Sequence, residues 1–165
     1  MHLKRWIIAA ALVATSPLAA AQSSISMDDA WAGGGLNQNS LSGWDSAMGF
    51  QFFGGLDLSS LIDVDPRFAL GAEVGYFDSG EFESSRWWGT RDFSGLWTTA
   101  VASWEFTPEF YALGRAGLDL GDDDGLMIGG GAGYRITDQL DVRGEYVIRD
   151  NIDSLQANAL YRFGQ

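Results

Sequence analysis

From Leu140 to Arg149 the chain alternates without a break. Leu140, Val142, Gly144, Tyr146 and Ile148 share one face; Asp141, Arg143, Glu145, Val147 and Arg149 share the other. Successive side chains of a strand point to opposite sides of the pleat, so a period of two means β-structure. The last run repeats the pattern: Leu155, Ala157, Ala159, Tyr161 and Phe163 oppose Gln156, Asn158, Leu160 and Arg162. One face is broad, apolar and ends in aromatics, while the other mixes charge with glycine. A soluble barrel turns its apolar face inward; a membrane barrel turns it toward lipid and keeps polar groups in the lumen. Periodicity alone does not choose between them.

The N-terminus chooses the compartment. Lys4 and Arg5 precede a short apolar run, Trp6 to Val13, and Ala19-Ala20-Ala21 stands before Gln22. That is the order of a secretory signal peptide, expected over residues 1–21 with cleavage at Ala21/Gln22. The run is too short for the ~20 apolar residues of a membrane-spanning helix. No later run reaches that length, so any span must be a closed barrel, the other fold that satisfies every backbone polar group in lipid.

Residues 22–165 then form one domain. The alternation predicts eight strands of about ten residues, the length a tilted membrane strand needs. The first is a glycine-rich segment, Trp31 to Leu36, followed by a loop from Asn37 to Gly43. Strand two runs from Met48 to Leu58, with Phe50, Phe52 and Leu56 outward and Gln51 and Asp57 inward. Strand three, Phe68 to Phe77, sets Leu70, Val74 and Tyr76 against Gly71, Glu73 and Gly75. Strand four, Leu96 to Phe106, is ambiguous, because Trp97 and Trp104 fall on opposite faces. Placing Glu105 inward turns Leu96, Ala100, Trp104 and Phe106 outward. Strands five to eight cover Phe110–Leu120, Leu126–Ile136, Leu140–Arg149 and Ser154–Phe163. The fold class expected is all-β, an eight-stranded antiparallel up-and-down transmembrane β-barrel.

Three connections are turn-like: Asp63-Val64-Asp65-Pro66, Thr107-Pro108-Glu109 and Thr137-Asp138-Gln139. The others are more polar, and the segment from Asp78 to Gly95 is the longest irregular one. Short periplasmic turns and longer outer loops are the habit of outer-membrane barrels. Trp87 and Trp88, with Arg86 and Arg91, suit either contact with lipopolysaccharide or a host surface, or a loop clamp or interfacial belt.

These parities place Asp57, Glu73, Glu105, Asp119, Asp141 and Glu145 inside with Arg115, Arg135, Arg143, Arg149 and Arg162. An eight-stranded barrel is just wide enough for side chains to fill it. An unpaired charge there would be costly, so a lumen packed by Arg–carboxylate pairs is expected. A narrow ion path is the alternative.

Composition excludes several functions. The chain has 22 acidic and 10 basic residues, and the leader takes Lys4 and Arg5, leaving eight arginines and a net charge of −14. Such a surface repels nucleic acid. There is no cysteine, and the one histidine, His2, lies in the leader. Histidine-dependent nucleophilic and general-base catalysis therefore has no residue to use. Asp122-Asp123-Asp124 lacks the spacing of a calcium loop and reads as a solvated acidic loop, with a weak divalent-cation contact as the alternative. The GGGAG run at 129–133 lies inside a strand with no helix after it, so it is no phosphate loop. No cofactor, metal or catalytic residue is expected.

The segments FALGAEVGYFDSG (68–80), FTPEFYALGRAGLDLG (106–121), GGGAGYRITDQLDVRGEYVIRD (129–150) and LQANALYRFGQ (155–165) resemble the small eight-stranded outer-membrane barrels of the opacity and OmpA-like type. The resemblance implies a bacterial outer-membrane location and contacts with outer-membrane lipid and lipopolysaccharide. It also implies a C-terminal aromatic signal read by the outer-membrane assembly machinery, here Tyr161 and Phe163, with Gly164-Gln165 following. Related barrels that are enzymes, such as lipid A deacylases, palmitoyltransferases and omptin proteases, use a histidine, so the resemblance points to a non-enzyme. A monomer with a structural or surface-interaction role is expected. A narrow porin-like channel, a loop-mediated adhesin and a soluble periplasmic barrel are the competing readings.

Overall fold

The computed structural model describes residues 26–62, 65–84 and 89–164. The leader with its cleavage junction, Asp63 and Val64 of the proline turn, and Arg86, Trp87 and Trp88 lie outside the described residues.

Ten strands follow one another: β1 (Ala30–Leu41), β2 (Ala47–Asp57), β3 (Phe68–Asp78), β4 (Phe82–Ser84), β5 (Gly89–Arg91), β6 (Ser94–Glu105), β7 (Phe110–Asp119), β8 (Gly125–Arg135), β9 (Leu140–Ile148) and β10 (Ile152–Arg162). Eight of them form one closed antiparallel barrel, each beside its neighbour in sequence; β4 and β5 are a separate hairpin inserted between β3 and β6. β1 and β10 pair from Trp31–Arg162 to Leu41–Ile152, which closes the sheet and leaves no edge strand. Both chain ends therefore reach one end of the barrel, termed here the terminal mouth, together with the connections 58–67, 106–109 and 136–139. The loop mouth at the other end carries 42–46, 79–93, 120–124 and 149–151.

Exposure separates the two faces. Leu155 is 57%, Tyr146 49% and Tyr161 46% exposed, whereas Arg143 is 6% and Glu145 1% exposed. The greasy side chains coat the exterior and the ionic ones face the lumen. Outward rings pair across strands, Phe52 with Tyr76 at 5.4 Å and Phe110 with Tyr134 at 4.7 Å. Trp104, Phe106, Phe110, Tyr134, Tyr161 and Phe163 form an exposed aromatic belt around the terminal mouth.

Inward glycines answer inward large residues. A Cβ at Gly55 or Gly71 would overlap the Trp31 indole, and one at Gly133 would overlap the Tyr111 ring. Trp97 lies over Gly75 in the same way. This settles the parity of β6: Trp97 turns in over a glycine and is fully buried, while Trp104 turns out.

Three expectations about connections need correction. β1 runs to Leu41, so Asn37 to Leu41 is strand and not loop. Asn37 and Asn39 face the lumen, where Asn39 Nδ2 donates to Asn37 Oδ1 at 2.5 Å and to the Ser79 carbonyl at 2.8 Å, so polar side chains continue the alternation. The segment 78–95 is not irregular throughout, because β4 and β5 pair within it. The connection after β2 is not compact, since a 3-10 turn at Ser59–Leu61 precedes Pro66, but the turn chemistry at Asp65-Pro66 holds: the Phe68 N–H donates to the Asp65 carbonyl at 2.8 Å and the Arg67 N–H to Asp65 Oδ1 at 2.9 Å. The other two turns are tight and alike. Thr107 and Thr137 each accept a backbone N–H from three residues on, Phe110 at 3.1 Å and Leu140 at 3.0 Å.

Candidate functional site: the lumen and its two mouths

A buried ionic quartet crosses the middle of the lumen. The Arg115 Nη2 lies 3.0 Å from Glu73 Oε2 and 2.7 Å from Glu145 Oε2, and Arg143 Nη1 lies 2.6 Å from Glu73 Oε1. Strands β3, β7 and β9 supply these residues. The Trp31 Nε1–H also donates to Glu73 Oε1 at 3.1 Å. Toward the terminal mouth, Arg143 Nε donates to the Tyr111 hydroxyl at 3.1 Å, and that hydroxyl donates to Asp141 Oδ2 at 2.9 Å. Arg162 Nη2 reaches the same carboxylate at 2.8 Å. Arg135 pairs with Glu105 at the rim.

Toward the loop mouth, Arg149 Nε donates to Asp119 Oδ2 at 2.9 Å, and its Nη1 to Ser154 Oγ at 2.8 Å. The guanidinium also lies 4.2 Å from the Phe77 ring centre. Of the eleven residues that sequence parity sends inward, ten therefore take part in ion pairs. Asp57 is the exception; its Oδ1 accepts the Ser59 N–H at 2.7 Å.

Sequence parity sends Gln51, Gln156, Asn158, Val147 and Leu160 inward but does not show the two further groups they help to form. One is an amide cluster: Gln51 Nε2 donates to Gln156 Oε1 and Asn158 Oδ1, both at 2.8 Å, and Asn158 Nδ2 donates to Glu145 at 3.2 Å. The other is apolar: Phe53, Phe77, Trp97, Met127, Val147, Ile152 and Leu160 are buried inside the barrel. Both sets share the parity of the inward charges, which is the signal that could have found them. The lumen is thus a mixed core: Phe77, Met127 and Ile152 lie near the loops beside Arg149 and Asp119, whereas Leu160 pairs with Asp141, and Val101, Tyr111 and Leu113 cluster toward the terminal mouth.

The loop mouth is covered. Phe82 and Phe93, which flank the hairpin at either end, meet edge-on at 6.1 Å and join the apolar layer, with Leu41 and Trp44 packed against it. Ser79 fixes the base of this cap: its N–H donates to the Phe93 carbonyl at 2.8 Å, and its Oγ accepts the Phe93 N–H at 2.9 Å. Around the cap the exposed charges among the described residues are Asp45, Glu81, Glu83, Asp92, Asp122, Asp124 and Asp150, against Arg91. The three consecutive aspartates diverge. Asp123 is buried and accepts the Asn151 N–H at 3.0 Å, while Asp122 accepts the Ser94 N–H at 3.1 Å.

At the terminal mouth, adjoining cavities of about 230 Å³ and 190 Å³ share Trp31, Asp57 and Arg162 as walls. Nearby, in the solvent-exposed connection before β3, the Arg67 side chain and backbone N–H hydrogen-bond Asp65 and hold its carboxyl below the ordinary range. Tyr161 and Phe163 project outward beside this mouth, their rings meeting edge-on at 5.6 Å.

The sequence matches the family of the outer membrane protein beta-barrel domain over residues 7–163. Solved structures share the fold. A de novo designed transmembrane β-barrel aligns with TM-score 0.56 and 16% identity, covering 81% of this chain and 94% of that one. Ail, the attachment invasion locus protein of Yersinia pestis, in complex with the heparin analogue sucrose octasulfate, aligns with TM-score 0.55 and 15% identity, covering 81% and 97%. Neisserial surface protein A aligns with TM-score 0.51 and 16% identity, covering 81% and 96%. No curated protein matches the chain.

Proposed function

Because this chain belongs to the outer membrane protein beta-barrel domain family, a family of the bacterial outer membrane, we propose that it is a non-conducting, non-enzymatic barrel whose role is structural or surface-interactive. The observation that carries this reading is the filled lumen. The quartet of Glu73, Arg115, Arg143 and Glu145 spans it, and the Phe82–Phe93 cap lies over it. With the interior occupied, the surfaces left for partners are the belt, which meets lipid and lipopolysaccharide, and the loops. Residues 22–165 work as a monomer after removal of the leader, and Tyr161 and Phe163 present the aromatic signal to the assembly machinery.

The loop surface narrows the partner class. Ail is seen with a polyanion. Here the loop rim is acidic, with Arg91 its exposed cation among the described residues, so a polyanion would be repelled. Cation-rich surfaces, including divalent ions that bridge lipopolysaccharide phosphates, suit it better.

The test is direct. Residues 22–165 refolded in detergent should show different mobilities on a gel with and without boiling. Reconstituted into planar bilayers, the same protein should give no sustained single-channel steps. Regular ion-selective steps from the unboiled form would overturn the reading in favour of the narrow channel.

A further inference from the structure

We propose that Asn37, Gln51 and Gln156 hold a structural water inside the lumen, and that this water joins the Arg149–Asp119 pair to the central quartet in one hydrogen-bonded chain. The direction of each hydrogen bond fixes the amides. From the loop mouth, Arg149 Nη1 donates to Ser154 Oγ at 2.8 Å, Ser154 Oγ to Asn39 Oδ1 at 2.5 Å, and Asn39 Nδ2 to Asn37 Oδ1 at 2.5 Å. This run ends on Asn37 Nδ2, which meets no acceptor among the described residues. From the quartet, Glu145 accepts from Asn158 Nδ2, which turns Asn158 Oδ1 toward Gln51 Nε2; that same nitrogen donates to Gln156 Oε1. This second run ends on Gln156 Nε2 and Gln51 Oε1, both unpartnered among the described residues. Flipping any one of these amides would set donor against donor or acceptor against acceptor along its run.

The loose ends meet. Asn37 and Gln156 are register partners on β1 and β10, which sets their Cβ atoms roughly 4.5–5.5 Å apart. Gln51 already touches Gln156. All three are at most 2% exposed, so bulk solvent does not serve them, and a buried polar group left unmatched is costly. The chemistry of the guest follows from what is left over: two N–H donors and one oxygen acceptor. A metal ion or an ammonium would face the two donors. A halide would face the oxygen. A water accepts from both amides and donates to Gln51 Oε1, giving about three hydrogen bonds, the usual number for a buried water.

The full mature chain refolded in detergent micelles tests this by NMR cross-relaxation between water and the side-chain amide protons of Asn37 and Gln156. Both amides should show water cross-peaks with the sign of a molecule that tumbles with the protein. Gln156→Met keeps the length of the side chain and removes its amide; the Asn37 cross-peak should then disappear, because the two amides share one water. Asn37→Leu should abolish the Gln156 cross-peak in turn. Replacing chloride by sulfate in the buffer should leave both amide shifts where they were. A cross-peak that survives at one amide after the other is removed overturns the proposal, as does a chloride-dependent shift at both. If neither variant folds, as judged by heat-dependent gel mobility, the wild type decides: cross-peaks at both amides support the shared water, and their absence at either one overturns it.

Discussion

Glu73 accepts from Trp31, Arg115 and Arg143 at once. No other carboxylate in the lumen joins so many strands, since these donors come from β1, β7 and β9. Truncating it leaves two almost fully buried guanidiniums short of charge. Glu73→Ala should cost about 3–5 kcal/mol, the cost of breaking a buried pair by removing one partner. Urea unfolding in micelles should show the loss as a lower midpoint with an unchanged slope. Glycines allow a paired test of which face is which. Gly133 lies under the Tyr111 ring, whereas nothing lies within 4 Å of a Cβ at Gly144, which points outward. Gly133→Ala should destabilise by about 1–3 kcal/mol through overpacking. Gly144→Ala should stabilise by about 0.4–1 kcal/mol, because it restricts the unfolded chain and meets open space. Equal effects at the two positions would mean the faces are assigned wrongly.

At the scale of elements, β9 and β10 were legible because most inward positions are charged or polar, Val147, Ile152 and Leu160 excepted, and nearly every outward one is apolar. β1 was not. Its outward positions include Gln38 and Ser40, so hydropathy stops alternating at Leu36 while the backbone pairing continues to Leu41. β6 needed information from outside itself, since only Gly75 on the neighbouring strand makes room for Trp97. The hairpin hid for another reason: three-residue strands carry too few alternations to read. The inward charges were legible by parity, but their partners were not. Arg115 reaches Glu73 across 42 positions of sequence, and barrel stagger decides which side chains share a level. The hairpin supports a prediction of its own. Replacing Phe82 and Phe93 by alanine removes the rings over the apolar layer without touching a barrel ladder. Amide exchange at Ser79 and Phe93 should accelerate, while amides of β9 stay protected, because local opening follows local packing. Acceleration spread over β9 as well would show that the cap is part of the barrel's own stability.

On the scale of the whole molecule, the seal has two independent levels, and this makes the non-conducting reading testable in pieces. The cap of Phe82 and Phe93 lies at the loop mouth. The quartet lies deeper, with Arg115 and Glu73 side chains almost fully buried. An eight-stranded wall leaves little room beyond what these side chains fill. Deleting residues 81–93 removes the first level and spares the second, since β3 and β6 remain paired from Phe68–Trp104 to Asp78–Ser94. Bilayer recordings of that deletion should therefore stay silent. Adding Glu73→Ala and Arg115→Ala to it removes the second level too, and leaves Arg143 and Glu145, neighbours on the inner face of β9, without their partners from β3 and β7. Brief, low-conductance openings are expected then, in whichever fraction of the protein still folds as judged by its heat-dependent gel mobility. Openings in the hairpin deletion alone would locate the seal wholly at the loops, and the quartet would be a structural brace with no part in closing the tube.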